Sequence, residues 1–178
     1  YPHVEKVHAA IISHAHLDHI GALPLLCKKG KPAIFMNDIT LELGTMLIKD
    51  SMKVGYKEGY ATPFGNKDLK RTIKSTKIVS QNDRFKVGDC AFSLWHSGHI
   101  PGSNSILAEC GKRIFYTSDI QTIDSHLLKR CKLPQNVDTL IIESTYGMKN
   151  HPSREELEQK LIEAVEDALA KEEVILMP

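Results

Sequence analysis

Six residues constrain this chain more than any other stretch. His14-Ala15-His16-Leu17-Asp18-His19 places four potential metal ligands between an apolar run, Val7 to Ser13, and a helical pattern. Imidazole and carboxylate donors suit Zn²⁺ and other divalent first-row ions. The spacing has a geometric logic. Residues two apart on an extended segment point to the same side, so His14 and His16 can grip one ion. Asp18 and His19, adjacent at a turn, can reach a second ion close by. A surface histidine cluster would need neither the Asp nor a place between a buried strand and a helix. The rest of the chain must therefore fold so that further ligands meet this segment.

Composition narrows the class. The chain has 178 residues, 42% hydrophobic and 25% charged, which supports a real core in one domain and is marginal for two. With 23 Lys+Arg against 22 Asp+Glu, the formal net charge is +1, so no global basic excess drives phosphate binding. No apolar run approaches the roughly 18 residues of a membrane span, and Tyr1 opens no signal-peptide pattern. Cys27, Cys90, Cys110 and Cys131 are widely spaced with no Cys-x-x-Cys pair. That spacing predicts free thiols in a reducing compartment, hence a cytoplasmic protein.

Strand-like and helix-like signals alternate along the chain, an α/β pattern. Strands are expected at Val7 to Ser13, Ala33 to Met36, Lys77 to Val79, Arg84 to Val87, Cys90 to Trp95, Ser105 to Cys110, Arg113 to Thr117 and Thr139 to Glu143. Helices are expected from Ile20 to Lys29, from a Thr40 cap to about Lys53, and from a Ser153 capping box with Glu156 to about Lys171. Val54 to Lys77 reads as a long loop or a partly helical excursion. Gly111 in E-C-G-K-R predicts a hairpin turn, and Val174 to Met177 a last buried strand.

Two further motifs follow the first in order. Ser97-Gly98-His99-Ile100-Pro101-Gly102 offers His99, and Tyr116-Thr117-Ser118-Asp119 offers Asp119. With H-x-H-x-D-H after a strand, these resemble the metallo-β-lactamase superfamily. The resemblance implies a first metal on His14, His16 and His99, a second on Asp18 and His19, and Asp119 bridging both. It implies two Zn²⁺ ions about 3.5–4 Å apart. His96, the rival of His99, lacks the Pro-Gly turn and is expected behind the ligands.

Ile141-Ile142-Glu143-Ser144-Thr145-Tyr146-Gly147 is similar to the first motif of the β-CASP nucleases, and its E-S-T-Y-G form to the RNA-processing branch related to the cleavage and polyadenylation specificity factor endonuclease. S-R-E-E-L-E with its helix and V-I-L-M-P resembles the approach to a β-CASP insertion, and T-S-D-I departs only in Ser118, where many relatives carry Gly. The resemblance implies a partial αββα sandwich over 1–150, with the start of a β-CASP region over 151–178. It implies metal-dependent RNA phosphodiester hydrolysis with Asp18, Asp119 and Glu143 as its carboxylates. Glu143 is expected to bond a metal-held histidine from behind and not to act as general base. Part of the superfamily's pattern is missing from the chain: its early strands, the final His of the second metal and the later β-CASP motifs. The second ion is therefore expected to be weakly held, and the chain alone inactive.

Other readings stay open: a DNA nuclease of the same architecture, a small-molecule metallo-hydrolase, or a non-catalytic paralogue binding RNA or a partner. Lys67, Lys70, Arg71, Lys74 and Lys77 would place most of their charge on one helical side and could follow an RNA backbone, with Tyr56, Tyr60 and Phe64 stacking bases. Relatives' dimers make a homodimer possible. Endonuclease and exonuclease action are equally open. His3, His8, His126 and His151 read as surface or packing residues.

Overall fold

A computed structural model describes residues 6–177; residues 1–5 and 178, and His3 among them, lie outside the described residues. The chain divides into two compact units, Tyr1–Glu143 and Ser144–Pro178. In the first, strands β1 (Ala9–Ile11), β2 (Ala33–Met36) and β3 (Thr76–Ile78) form a parallel sheet in the order β1-β2-β3. Parallel neighbours need long crossovers. Helices α1 (Leu17–Ile20) and α2 (Leu23–Lys29) supply one, and α3 (Asp38–Lys57) and α4 (Asn66–Ser75) the other. A second sheet follows in sequence order: β4 (Arg84–Val87), β5 (Cys90–His96), β6 (Asn104–Glu109) and β7 (Arg113–Tyr116) pair antiparallel, and β8 (Thr139–Ile141) joins β7 in parallel.

Strand periodicity decides how these layers stack. Ile34 and Met36 of β2 pack with Ile20, Leu23, Cys27, Ile48 and Leu69 from the helices. Their neighbours Ala33 and Phe35 point the other way, to Leu94, Ile106, Phe85 and Phe92 of the second sheet. Helices, the parallel sheet and the mixed sheet are thus three successive layers. Both faces of β2 are buried, which is why it reads as an unbroken apolar run.

In the second unit, α5 (Arg154–Ala170) starts where Ser153 Oγ accepts the Glu156 N–H at 3.2 Å. Its apolar positions Leu157, Leu161 and Leu169 are exposed. A turn precedes it, with Gly147 N–H donating to the Ser144 carbonyl, and Tyr146 meets His151 edge-on at 4.5 Å.

The structure corrects several expectations. The helix expected from Ile20 is two helices, because α1 closes at Gly21 and α2 starts afresh with Pro24 in its first turn, where the missing N–H costs nothing. Asn37, not Thr40, caps α3: its Oδ1 accepts the Thr40 N–H at 2.7 Å, while Thr40 is buried inside the helix. The weak 54–77 segment holds the end of α3 and all of α4. Only Asp68, Leu69 and Thr72 of α4 are buried, and Asp68 caps it by accepting the Gly65 N–H at 3.0 Å, so one large apolar residue carries the whole face. Val174 to Met177 forms no strand; Leu176 is 87% exposed, and an apolar run without a partner edge makes no ladder.

Cys90 and Cys110 are disulfide-bonded, against the expectation of free thiols, while Cys27 and Cys131 are free. Register explains the pair. Ala91 faces Glu109 across β5 and β6, so the preceding and following residues stand opposite each other with Cα atoms 4.6 Å apart. The reducing-compartment argument therefore loses its basis.

Two glycines separate backbone conformation from space. Gly102 (φ 78°) lies where a Cβ would come within 2.8 Å of Ile39, whereas Gly111 (φ 75°) has nothing within 4 Å of that position. Gly111→Ala should cost only the left-handed conformation, roughly 1–2 kcal/mol. Gly102→Ala should cost distinctly more, because Ile39 must also move. Urea unfolding of the two variants checks the order; equal costs would mean that Ile39 yields freely.

Candidate metal centre

One strand direction gathers the site. β5, β7 and β8 run the same way because β6 lies antiparallel between β5 and β7. The loops after them carry His99, Asp119 and Glu143 on one edge of the sheet. The loop after β1 reaches the same edge, since the Asn104 N–H at the start of β6 donates to the Ser13 carbonyl at 2.9 Å. Asn104, fully buried, also donates from Nδ2 to the Ser13 carbonyl at 3.3 Å and to the Gly102 carbonyl at 2.8 Å.

The Gly102 carbonyl is a fixed point for the His99 loop. Asn37 Nδ2 and Thr40 Oγ1 donate to it at 2.7 and 3.0 Å, beside Asn104. Ser103 Oγ, completely buried, accepts the His99 and Ile100 N–H groups at 3.1 Å each. Gly98 (φ 77°) lets the loop after β7 pass closely, for a Cβ there would stand 2.7 Å from the Lys129 carbonyl.

His14, His16, His99 and Asp119 converge with one donor atom each, all within 4.8 Å of one another. His14 Nε2 and His99 Nε2 each lie 3.1 Å from His16 Nδ1. Asp119 Oδ2 stands 3.7 Å from His14 Nε2 and 3.5 Å from His99 Nε2. Four donors about 2.0–2.1 Å from a tetrahedral ion would sit about 3.3–3.4 Å apart. These four spacings bracket that value, with every pair of donors within 4.8 Å, and nitrogen lone pairs so close together are stable only around a cation or a shared proton. The donor set therefore fits a divalent metal ion.

The other carboxylate oxygen faces a second group. Asp119 Oδ1 lies 3.6 Å from His19 Nε2, which is 3.4 Å from Asp18 Oδ2. Asp119 thus divides its oxygens between two sets of donors. The sets differ in exposure: the His14 side chain is fully buried, whereas that of Asp18 is 78% exposed.

Electrostatics favours lone pairs over protons here. Burial, reinforced by His19, His16 and His99, pushes the His14 imidazole down to about 3, with Asp18 opposing. Burial also lowers His99, with Asp119 the largest opposing influence. Both rings are neutral near pH 7 and free to act as ligands.

Glu143 serves the backbone that carries Asp119: its Oε1 accepts the Ile120 N–H at 2.8 Å, and its charge acts on His99. His96 is not in the converging group; its Nε2 donates to the Lys129 carbonyl at 2.9 Å. On α4, Lys67, Lys70, Arg71 and Lys74 are all exposed and share one face, though Arg71 also reaches Asp68 at 3.4 Å. Lys77 lies over the Phe35 ring at 5.4 Å. Tyr56 and Tyr60 are 86% and 70% exposed, but Phe64 packs against the core. Sequence reasoning missed Ser13, Ser103, Asn104 and Ser118, the buried polar residues that hold the ligand loops. Their signals were adjacency to the ligands and to the glycine turn and, at Ser118, the departure from Gly.

Several known proteins are similar to this chain. A protein named Probable RNase MJ4 from Methanocaldococcus jannaschii is 38% identical over 98% of this chain and 42% of its own length. Transcription termination factor FttA of the same organism is 33% identical over 98% of this chain and 29% of its own. Ribonuclease TTHA0252 from Thermus thermophilus is 27% identical over 98% and 40%. The chain spans less than half the length of these relatives. Residues 2–170 match the protein-family profile described as anti-Pycsar protein Apyc1. By that match, which runs almost the length of the chain, it belongs to the anti-Pycsar protein Apyc1 family.

Proposed function

We propose that this chain carries the metal centre of a ribonuclease that hydrolyses RNA phosphodiesters. In this reading residues 1–150 belong to a metallo-β-lactamase-like αββα domain, and 151–178 open a β-CASP region. The observation that carries it is Asp119, whose two carboxylate oxygens face separate groups of histidine and aspartate donors. Such an arrangement suits two ions sharing one ligand. RNA as substrate rests on the relatives' names and on the E-S-T-Y-G resemblance.

His14, His16, His99 and Asp119 would hold the first ion, and Asp18, His19 and Asp119 the second, with Zn²⁺ the ion the donors suit best. Bound there, the ions supply Lewis acidity toward a phosphoryl oxygen and make water acidic enough to attack near neutral pH. The chain's own groups do the rest. Asp18, exposed at the rim, can accept a hydrogen from the attacking water and aim it. Glu143 holds the Ile120 N–H and so fixes the loop from which Asp119 projects. Protonation of the leaving oxygen has no assigned group in this chain. Lys67, Lys70 and Lys74 offer a row of charge that could follow the backbone of a bound strand.

The direct test incubates the intact protein with end-labelled RNA, a matched DNA and a chromogenic phosphodiester, each with and without chelator. RNA should be cut, the chelator should stop it, and added Zn²⁺ should restore it. Cleavage of DNA or of the small ester alone would replace RNA with that substrate, and undiminished cleavage in chelator would remove the metal. Asp119→Ala and His14→Ala should each reduce cleavage to background with RNA binding largely intact; turnover in either variant refutes their assignment.

Metal content offers a separate check. Equilibrium dialysis of this chain should find one tightly held Zn²⁺, with a second bound far more weakly. Two tight ions per chain would mean that Asp18, His19 and Asp119 hold the second ion as firmly as the first group holds its own.

The lysine row predicts a salt effect. Replacing Lys67, Lys70 and Lys74 together with Gln should weaken single-stranded RNA binding. It should also flatten the dependence of log K on log salt by roughly 2, at about 0.7 per contact. An unchanged slope would mean that this face is merely solvated.

A further inference from the structure

The metal-facing side of His14 is accounted for by its neighbours; the opposite side poses a separate question. His14 is fully buried, so its Nδ1 needs a partner inside the protein. Two hydroxyls meet it: Ser13 Oγ at 3.1 Å and Ser118 Oγ at 3.3 Å. The two hydroxyls lie 2.8 Å from each other, and both serines are almost completely buried. Ser13 Oγ also stands 3.5 Å from His19 Nδ1, at the outer edge of a hydrogen bond.

Ser118 occupies a backbone position that is costly for it. Its φ is 52°, in the left-handed region that glycine enters freely and a residue with a Cβ does not. Glycine there would remove the strain. Only the hydroxyl distinguishes serine in what it can offer in return, and that hydroxyl is used on Ser13 and His14. The residue next along the chain is Asp119. The pair of serines therefore ties the loop after β1 to the loop after β7, behind the two ligands those loops present.

We propose that Ser118 is a positioning residue, acting with Ser13 to fix the His14 ring so that Nδ1 carries the hydrogen and Nε2 presents its lone pair to the metal. The inference rests on the reading of this cluster as a metal site. A histidine ligand held from behind by a polar partner is better oriented and more basic toward its ion. Because the clamp includes the residue beside Asp119, it also fixes the spacing between the imidazole nitrogen and the carboxylate. Stability and affinity should then respond in opposite directions at this position.

The experiment measures Zn²⁺ affinity by competition with a chromophoric chelator in the intact protein and in Ser118→Gly, Ser118→Ala, Ser13→Ala and Ser13→Thr. Ser118→Gly should melt at the same temperature as the parent or higher when metal-free, yet bind Zn²⁺ about 10–100-fold more weakly. Ser118→Ala and Ser13→Ala should also bind more weakly, and Ser13→Thr, which keeps a hydroxyl, should stay close to the parent. Long-range ¹⁵N NMR of the metal-free protein should show His14 as the Nδ1–H tautomer, and a mixture in Ser118→Gly. Affinity within twofold of the parent in both Ser118 variants, with the tautomer unchanged, would overturn the inference alone. A parent that binds no Zn²⁺ would overturn the metal reading itself, and this inference with it.

Discussion

A fully buried imidazole sets the terms for everything around it. His14 sits in the loop after β1 with no exposed surface, and burial pushes its ring far below the usual histidine range. A neutral buried ring offers one donor and one acceptor, and leaving either unmatched would cost about 1–3 kcal/mol. The serine hydroxyls on one side and the cluster of donors on the other supply those matches. These loops are therefore folded around a requirement of burial, and the geometry of the cluster follows from the core.

That requirement reaches outward through backbone carbonyls. The Ser13 carbonyl is held by Asn104, and the Gly102 carbonyl by Asn104, Asn37 and Thr40. Asn104 thus pins the loop bearing His14 to the loop bearing His99, which lies 85 positions later in sequence. Asn37 does double duty, since the same side chain that caps α3 also donates to Gly102. A helix start, two sheets and the loops bearing His14 and His99 share one buried hydrogen-bond network.

The sequence carried the site further than it carried the fold. The apolar run at Ala33 to Met36 and the alternating segment Arg84 to Val87 coincide with observed strands, and Gly111 makes its turn. The three ligand motifs stood out because their chemistry is unusual at any position. What stayed hidden depends on partners distant in sequence. The Cys90–Cys110 pairing needs the β5–β6 register, and the failure of Val174 to Met177 to form a strand needs knowledge of what lies beside it. Asn37 and not Thr40 is the cap because the helix already starts at Asp38, which puts Thr40 in the first turn with its N–H turned to the Asn37 side chain. Ser13 looks ordinary, and Ser118 only a departure from Gly, until the fold brings them together.

The two donor groups around Asp119 differ in how firmly they are held. His14, His16 and His99 come from loops tied by buried hydrogen bonds, which hold their donor atoms close to one another. Asp18 belongs to a helix of only four residues, its side chain largely in solvent. A preorganised site binds without first ordering its ligands, whereas an exposed carboxylate must give up rotamer freedom and water to do so. The difference also suits chemistry at the rim. A carboxylate that keeps contact with solvent can meet water and substrate, while one sealed behind the imidazoles could only bind.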